Sequence, residues 1–320
     1  MTTPVIHGII GYTITPFSAD GSAIDLPALG RSIDQLIDNG VHAIAPLGST
    51  GEGAYLSDAE WDQVSEFSLA HVAKRVPTIV SVSDLTTAKA VRRARFAEQH
   101  GADVVMVLPA SYWKLSEAEI LAHYRAIGDS INTPIMLYNN PATSGTDMSV
   151  DLILNIFNTV DNVTMVKEST GDIQRMLRLQ QRGEGQVPFY NGCNPLALEA
   201  FAAGAKGWCT AAPNLIPALN LALYDAVLAN DLNAARALFY RQLPLLEFIL
   251  KGGLPATIKA GLRLTGLEAG DPRLPVFPLA DAGVTQLHGL LAHLKPPGPA
   301  PRPPGGGPRG AGHRPLTASL

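Results

Sequence analysis

Cysteine is scarce in this chain: Cys193 and Cys209 are the only two in 320 residues. Two thiols cannot build a disulfide framework, and neither stands at a metal-ligand spacing from histidine. Charge is sparse as well, at 16% of residues with a formal net charge of −4, and no basic run precedes residue 295. Such a composition offers no electrostatic footprint for nucleic acid or for an anionic membrane surface. No apolar stretch reaches the roughly 18 residues that a transmembrane helix needs. The N-terminus, Met-Thr-Thr-Pro-Val-Ile-His, has no charged segment leading into an apolar one, so it does not read as a secretory signal. Two nucleotide motifs are missing too. The first strand ends in Thr15-Pro16-Phe17 where a dinucleotide site would need Gly-x-Gly-x-x-Gly, and the glycine-rich loop at 48–53 lacks the lysine of a phosphate loop. These absences predict a cytoplasmic protein with no metal and no cofactor, acting on small molecules through its own side chains.

What is present is a large apolar fraction, 46% of residues, arranged in short runs. They fall at 8–14, 41–47, 77–82, 103–108, 134–139, 163–167, 187–191 and 207–210, with helix-period segments between them. Ser57-Asp58-Ala59-Glu60 and Ser116-Glu117-Ala118-Glu119 are capping boxes that open two of those helices. Gly40, Gly101 and Gly204 close others. Strand and helix thus alternate eight times within about 220 residues, which favours an α/β fold of the (β/α)8 TIM-barrel type over an open doubly wound sheet. After the eighth strand the alternation stops, and 217–229, 232–251, 255–264 and 280–294 read as helices. The expected organisation is a catalytic barrel over 1–226, a C-terminal helical extension over 227–294, and a Pro/Gly-rich tail over 295–320. That tail is too poor in apolar side chains to offset its chain entropy and is expected to be disordered.

Barrel sites gather at the C-terminal ends of the strands. The sixth run, Val163-Thr164-Met165-Val166, closes on Lys167. An ammonium is costly to bury, and burial favours the neutral amine, which can attack a carbonyl carbon to form a Schiff base. The plainer reading is a strand-end lysine that reaches solvent or pairs with Glu168. The fifth run ends in Tyr138, which Asn139-Asn140-Pro141 leaves at the mouth. A phenol there either shuttles protons or fills the rim. Ser49 and Thr50 lie in the loop Gly48–Gly53, where glycines permit close backbone approach to an anion, though the same pattern serves as an ordinary turn. Tyr112 follows the fourth run, Gly192 the seventh, and Cys209 sits in the eighth. Convergence at one mouth of an amine, a phenol and hydroxyls argues for covalent catalysis. Glu52, Glu168 and Asp172 read as turn or helix-start charges.

Three motifs in order, Gly48-Ser49-Thr50-Gly51-Glu52, Tyr138-Asn139-Asn140-Pro141 and Val166-Lys167-Glu168-Ser169, resemble the dihydrodipicolinate synthase / N-acetylneuraminate lyase family of Schiff-base (β/α)8 enzymes over residues 6 to 294. The resemblance implies that Lys167 forms an imine with pyruvate or a related 2-oxo acid, and that Tyr138 moves protons. It implies that Ser49 and Thr50 hold the substrate carboxylate, one of them relaying protons to Tyr138, and that Gly192 and Cys209 line the pocket. It further implies that Tyr112 completes the relay in a neighbouring subunit of a homo-oligomer, a dimer or tetramer. Two departures stand out. Ala142-Thr143-Ser144-Gly145 lacks the arginine that synthases carry there, and Pro109-Ala110-Ser111-Tyr112-Trp113 is one residue longer than the usual Pro-Tyr-Tyr. Both point away from lysine biosynthesis and toward another second substrate: a sugar acid, a hydroxy-oxo acid or an imino acid. The leading expectation is an aldolase or synthase. A dehydratase or deaminase using the same imine is the alternative, and a non-catalytic oxo-acid-binding barrel the remote one.

Overall fold

Every apolar run becomes a strand in the computed structural model, which describes residues 6–294. The strands are β1 Gly8–Tyr12, β2 Ala43–Ala45, β3 Ile79–Ser81, β4 Val104–Val107, β5 Ile135–Asn139, β6 Val163–Glu168, β7 Phe189–Asn191 and β8 Gly207–Thr210. All pair in parallel in the order β2-β1-β8-β7-β6-β5-β4-β3. One isolated parallel bridge, Ile44 to Thr78, draws the two outer strands together, so the (β/α)8 barrel is nearly closed. Almost every strand residue is buried, on both faces, as a parallel sheet wrapped by helices requires. The expected tail, 295–320, lies outside the described residues.

Helices α1 Leu26–Asp38, α2 Asp58–Val72, α3 Thr87–Gln99 and α4 Glu117–Gly128 follow the first four strands in turn. After β5 come a single turn, α5 Pro141–Ser144, and then α6 Val150–Thr159; α7 Ile173–Arg182 and α8 Ala197–Ala202 follow β6 and β7. Both predicted capping boxes form: Ser57 and Glu60 at α2, and Ser116 and Glu119 at α4, each satisfy the other's backbone N–H. Burial falls on one stripe of each helix; α1 turns Leu29, Ile33 and Leu36 to the sheet.

The chain then continues through α9 Pro217–Leu228, α10 Leu232–Gly252, α11 Leu254–Leu264 and α12 Asp281–Leu294. Helix α9 runs through the boundary expected at residue 226. Leu245, Ile249, Ile258, Leu262 and Leu287 belong to the same hydrophobic cluster as the strand residues. The extension is therefore continuous with the barrel's packing, and it reaches back over the barrel mouth. There Lys259 of α11 meets Glu52 of the loop after β2 at 2.6 Å.

Candidate active site

Strand register builds the floor. Tyr138 on β5 pairs with Lys167 on β6, which pairs with Tyr190 on β7, so the three side chains share one face and point into the barrel. The next residue of β6, Glu168, points the other way. Its buried carboxylate accepts from Asn139 Nδ2 at 3.2 Å and from the Thr170 N–H at 2.8 Å, and pairs with Arg175 Nε at 3.3 Å. Arg175 also donates to the Met148 carbonyl. Glu168 is thus a fully engaged buried anion outside the barrel, a correction to its reading as a turn charge, and it is no partner for Lys167.

Lys167 is 4% exposed. Its Nζ lies 3.7 Å from the centroid of the Tyr138 ring and 4.4 Å from that of Tyr12. It donates to the Tyr12 hydroxyl at 3.2 Å and makes no salt bridge with a described carboxylate. The sequence reading passed over Tyr12. The signal lay in the period-two alternation of β1, which puts Ile10 and Tyr12 on one face and leaves the phenol at the strand's end. Burial pushes the Tyr12 phenol well above its ordinary pKa, so it stays protonated, and it donates to Met106 Sδ at 3.1 Å.

A cavity of about 440 Å³ opens above Lys167 and is lined also by Tyr12, Tyr138, Ser49, Thr50, Gly192 and Cys209. Six of the seven site residues expected from sequence therefore meet in one space. Gly192 has a steric reason to be glycine: a Cβ there would lie 1.7 Å from Ser169 Oγ and 2.7 Å from Lys167 Cε. Burial raises the pKa of the Cys209 thiol, with Lys167 opposing, so Cys209 contributes a neutral wall. The Tyr138 hydroxyl accepts from Asn140 Nδ2 at 2.8 Å. Among the described residues no hydrogen bond joins it to Ser49 or Thr50. Tyr112, the seventh residue, is 97% exposed and does not line this cavity. A second cavity of about 430 Å³ shares Ser49, Tyr138 and Thr143 with the first and runs toward Asp84 and Arg93.

Glu52 is the other correction. It sits in the left-handed region at φ 56°, fully buried. Its carboxylate pairs with Lys259 Nζ at 2.6 Å and accepts the Arg273 N–H at 2.7 Å. Lys259 Nζ also donates to the Asp271 carbonyl at 3.1 Å and stacks over Phe17 at 4.1 Å. Burial lowers the Lys259 pKa and Glu52 opposes it. The loop carrying Ser49 and Thr50 is anchored from the C-terminal extension. Asp172, by contrast, caps α7 through Gln174 N as a helix-start charge should.

Fold and site together define a class: a (β/α)8 lyase with a carboxylate-free buried lysine beside a phenol at the ends of its strands. The chain belongs to the dihydrodipicolinate synthetase family, whose model matches residues 5–294. It is 32% identical over 291 residues to the 4-hydroxy-tetrahydrodipicolinate synthase of Methanoculleus marisnigri, covering 90% of this chain and 99% of that one. The Methylobacterium radiotolerans enzyme of the same name is 33% identical over 281 residues, 88% of this chain and 93% of its own. Among solved structures, a Pseudomonas aeruginosa protein provisionally assigned as a dihydrodipicolinate synthetase superposes with a TM-score of 0.90 at 74% identity, covering 91% of this chain and 100% of its own. YagE, a prophage protein of the dihydrodipicolinic acid synthase family from E. coli K12 solved in complex with pyruvate, superposes with a TM-score of 0.86 at 26% identity, covering 91% and 99%. Among the described residues no helix is long and apolar enough to cross a membrane, and no three His, Cys, Asp or Glu side chains are grouped to hold a metal ion.

Proposed function

We propose that Lys167 forms an imine with C2 of pyruvate or a related 2-oxo acid, and that the enzyme makes or breaks a carbon–carbon bond at C3 of that acid. The observation that carries this is the setting of Lys167: a buried amine in the barrel mouth, in contact with two phenols and with no described carboxylate in salt-bridge reach. The amine adds to C2, the carbonyl oxygen leaves as water, and the iminium withdraws electrons from C3. Tyr138, having given its own proton to the hydroxyl that leaves as water, takes a proton from C3 to form an enamine, whose C3 attacks an aldehyde carbon. Tyr138 delivers the proton that the new alkoxide takes up, and water then hydrolyses the imine to free the product and Lys167. Tyr12 holds Nζ in place. No external cofactor is needed, because the imine is the electron sink.

Ser49 and Thr50 hold the carboxylate of the oxo acid. Their backbone N–H groups donate to no acceptor among the described residues, so they are available to an anion. Gly192 and Cys209 complete the pocket wall. Tyr112 acts in the site of a neighbouring subunit of a cytoplasmic dimer or tetramer. Its near-complete exposure on its own chain supports that assignment.

Borohydride reduction in the presence of pyruvate, followed by peptide mapping, tests the reading. The expected result is one adduct, on the peptide that carries Lys167. An adduct elsewhere, or none on folded protein, overturns it. Product analysis then separates carbon–carbon chemistry from loss of water or ammonia.

A further inference from the structure

The cavity above Lys167 has two chemically different sides. Its floor is polar, with Ser49, Thr50, Asn194 and Thr210 around the lysine and Tyr138. Its outer wall comes from the C-terminal extension, where Leu250, Leu254, Pro255 and Val276 offer no side-chain donor or acceptor. Among the described residues Lys167 is the sole charged one in the lining, to which Tyr55, Asn140, Thr143, Ser169 and Thr170 add neutral polar groups. Lys259 is engaged on Glu52, Arg273 on Glu60, Arg175 on Glu168 and, in the adjoining cavity, Arg93 on Asp84; Lys251, next to Leu250, is exposed and does not line the cavity. At about 440 Å³ the space matches sites that enclose a whole small-molecule ligand, and a three-carbon acid fills only part of it.

We infer that the second reactant is an aldehyde whose remaining part is uncharged and mainly apolar, so that the condensation product is a 4-hydroxy-2-oxo acid with one carboxylate and a hydrocarbon tail. The inference rests on the proposed function only in placing an oxo-acid head at Lys167. A second carboxylate entering this space would give up water and meet neither a cation nor a guanidinium fork. A hydrocarbon chain meets Leu250, Leu254 and Val276 instead, and each methylene it buries there strengthens binding about threefold. One carboxylate is served by the floor; the wall has nothing for another.

Straight-chain 2-oxo acids imitate the product without its reactive hydroxyl, and calorimetry reads their affinities directly. Across 2-oxobutanoate, 2-oxopentanoate and 2-oxohexanoate the affinity is expected to rise about threefold per methylene. 2-Oxohexanoate is expected to bind about tenfold or more tighter than 2-oxoadipate, which has the same carbon count and a second carboxylate. Leu254→Ala, at a half-buried wall position, should weaken 2-oxohexanoate severalfold and leave pyruvate unchanged. A flat series, 2-oxoadipate binding as tightly as 2-oxohexanoate, equal losses for pyruvate and 2-oxohexanoate in the variant, or no binding at millimolar concentration each overturns the inference. Borohydride trapping on the same samples keeps the two readings apart. Sorting of the acids without an adduct at Lys167 removes the imine and retains the pocket. An adduct with preference for 2-oxoadipate does the reverse.

Discussion

Two lysines are buried at the same end of this barrel, and they have opposite surroundings. Lys259 is 1% exposed, rests on the face of Phe17, and has Glu52 at 2.6 Å. Lys167 is 4% exposed, rests on the faces of Tyr12 and Tyr138, and has a phenol where Lys259 has a carboxylate. A buried ion pair holds its proton as part of the structure, and removing either partner leaves an uncompensated charge. An amine among neutral rings keeps its chemistry available at some expense in stability. Burial alone therefore does not mark a catalytic lysine; what faces its nitrogen does.

The sharpest way to break this comparison is to replace each lysine with methionine. Lys167→Met is expected to reduce turnover by more than about 10³-fold and to abolish the borohydride adduct. Its melting temperature should stay level or rise, since no counter-ion is orphaned. Activity assays and calorimetry on one preparation check both halves, and a large loss of stability would show that Lys167 is structural after all. Lys259→Met should do the opposite, costing about 3–5 kcal/mol because Glu52 is stranded, or about 10 °C in melting temperature. Adding Glu52→Gln to that variant should restore at least half of the loss. If the double variant is no more stable than the single, the pair is not the source of the effect.

A smaller effect comes from the partly exposed pair in the same corner, Glu60 and Arg273, 2.7 Å apart. The Arg273 hydrogen bond, with the Ser57 N–H, brings the Glu60 carboxyl from 4.5 down to about 2. A folded-state value below the unfolded one means that the contribution is fully present above about pH 4.5 and is lost as pH falls toward 2. Glu60→Gln should lower stability at neutral pH by no more than about 1 kcal/mol. The gap to the parent should close between those two pH values. Thermal melts across that window check it, and a gap independent of pH would show that ionisation of Glu60 is not the source of the loss.

Much of the scaffold could be read from residue order. Eight apolar runs, two capping boxes and the strand-ending Lys167 and Tyr138 are local signals, and they held because parallel strands buried on both faces leave a strong imprint. Glu52 and Glu168 were misread because a carboxylate beside a glycine or a turn is usually solvated, while their partners, Lys259 and Arg175, lie where only the tertiary fold brings them. Tyr12 was missed since a single inward-facing phenol on a five-residue strand looks like any core aromatic. The wall formed by Leu250, Leu254 and Val276 had no local signature at all: a leucine on a helix reads the same whether it faces a core or a ligand.

The dependence of the Ser49–Thr50 loop on Lys259, and of the cavity wall on residues 250–276, also imposes an order in time. Polypeptide leaves the ribosome N-terminus first, so Lys167, Tyr138 and the hydroxyl loop are all synthesised long before the pieces that roof and brace them. A nascent chain stalled near residue 230, or a mature one clipped back past residue 259, would hold every reacting group and still lack an enclosed place for the reaction.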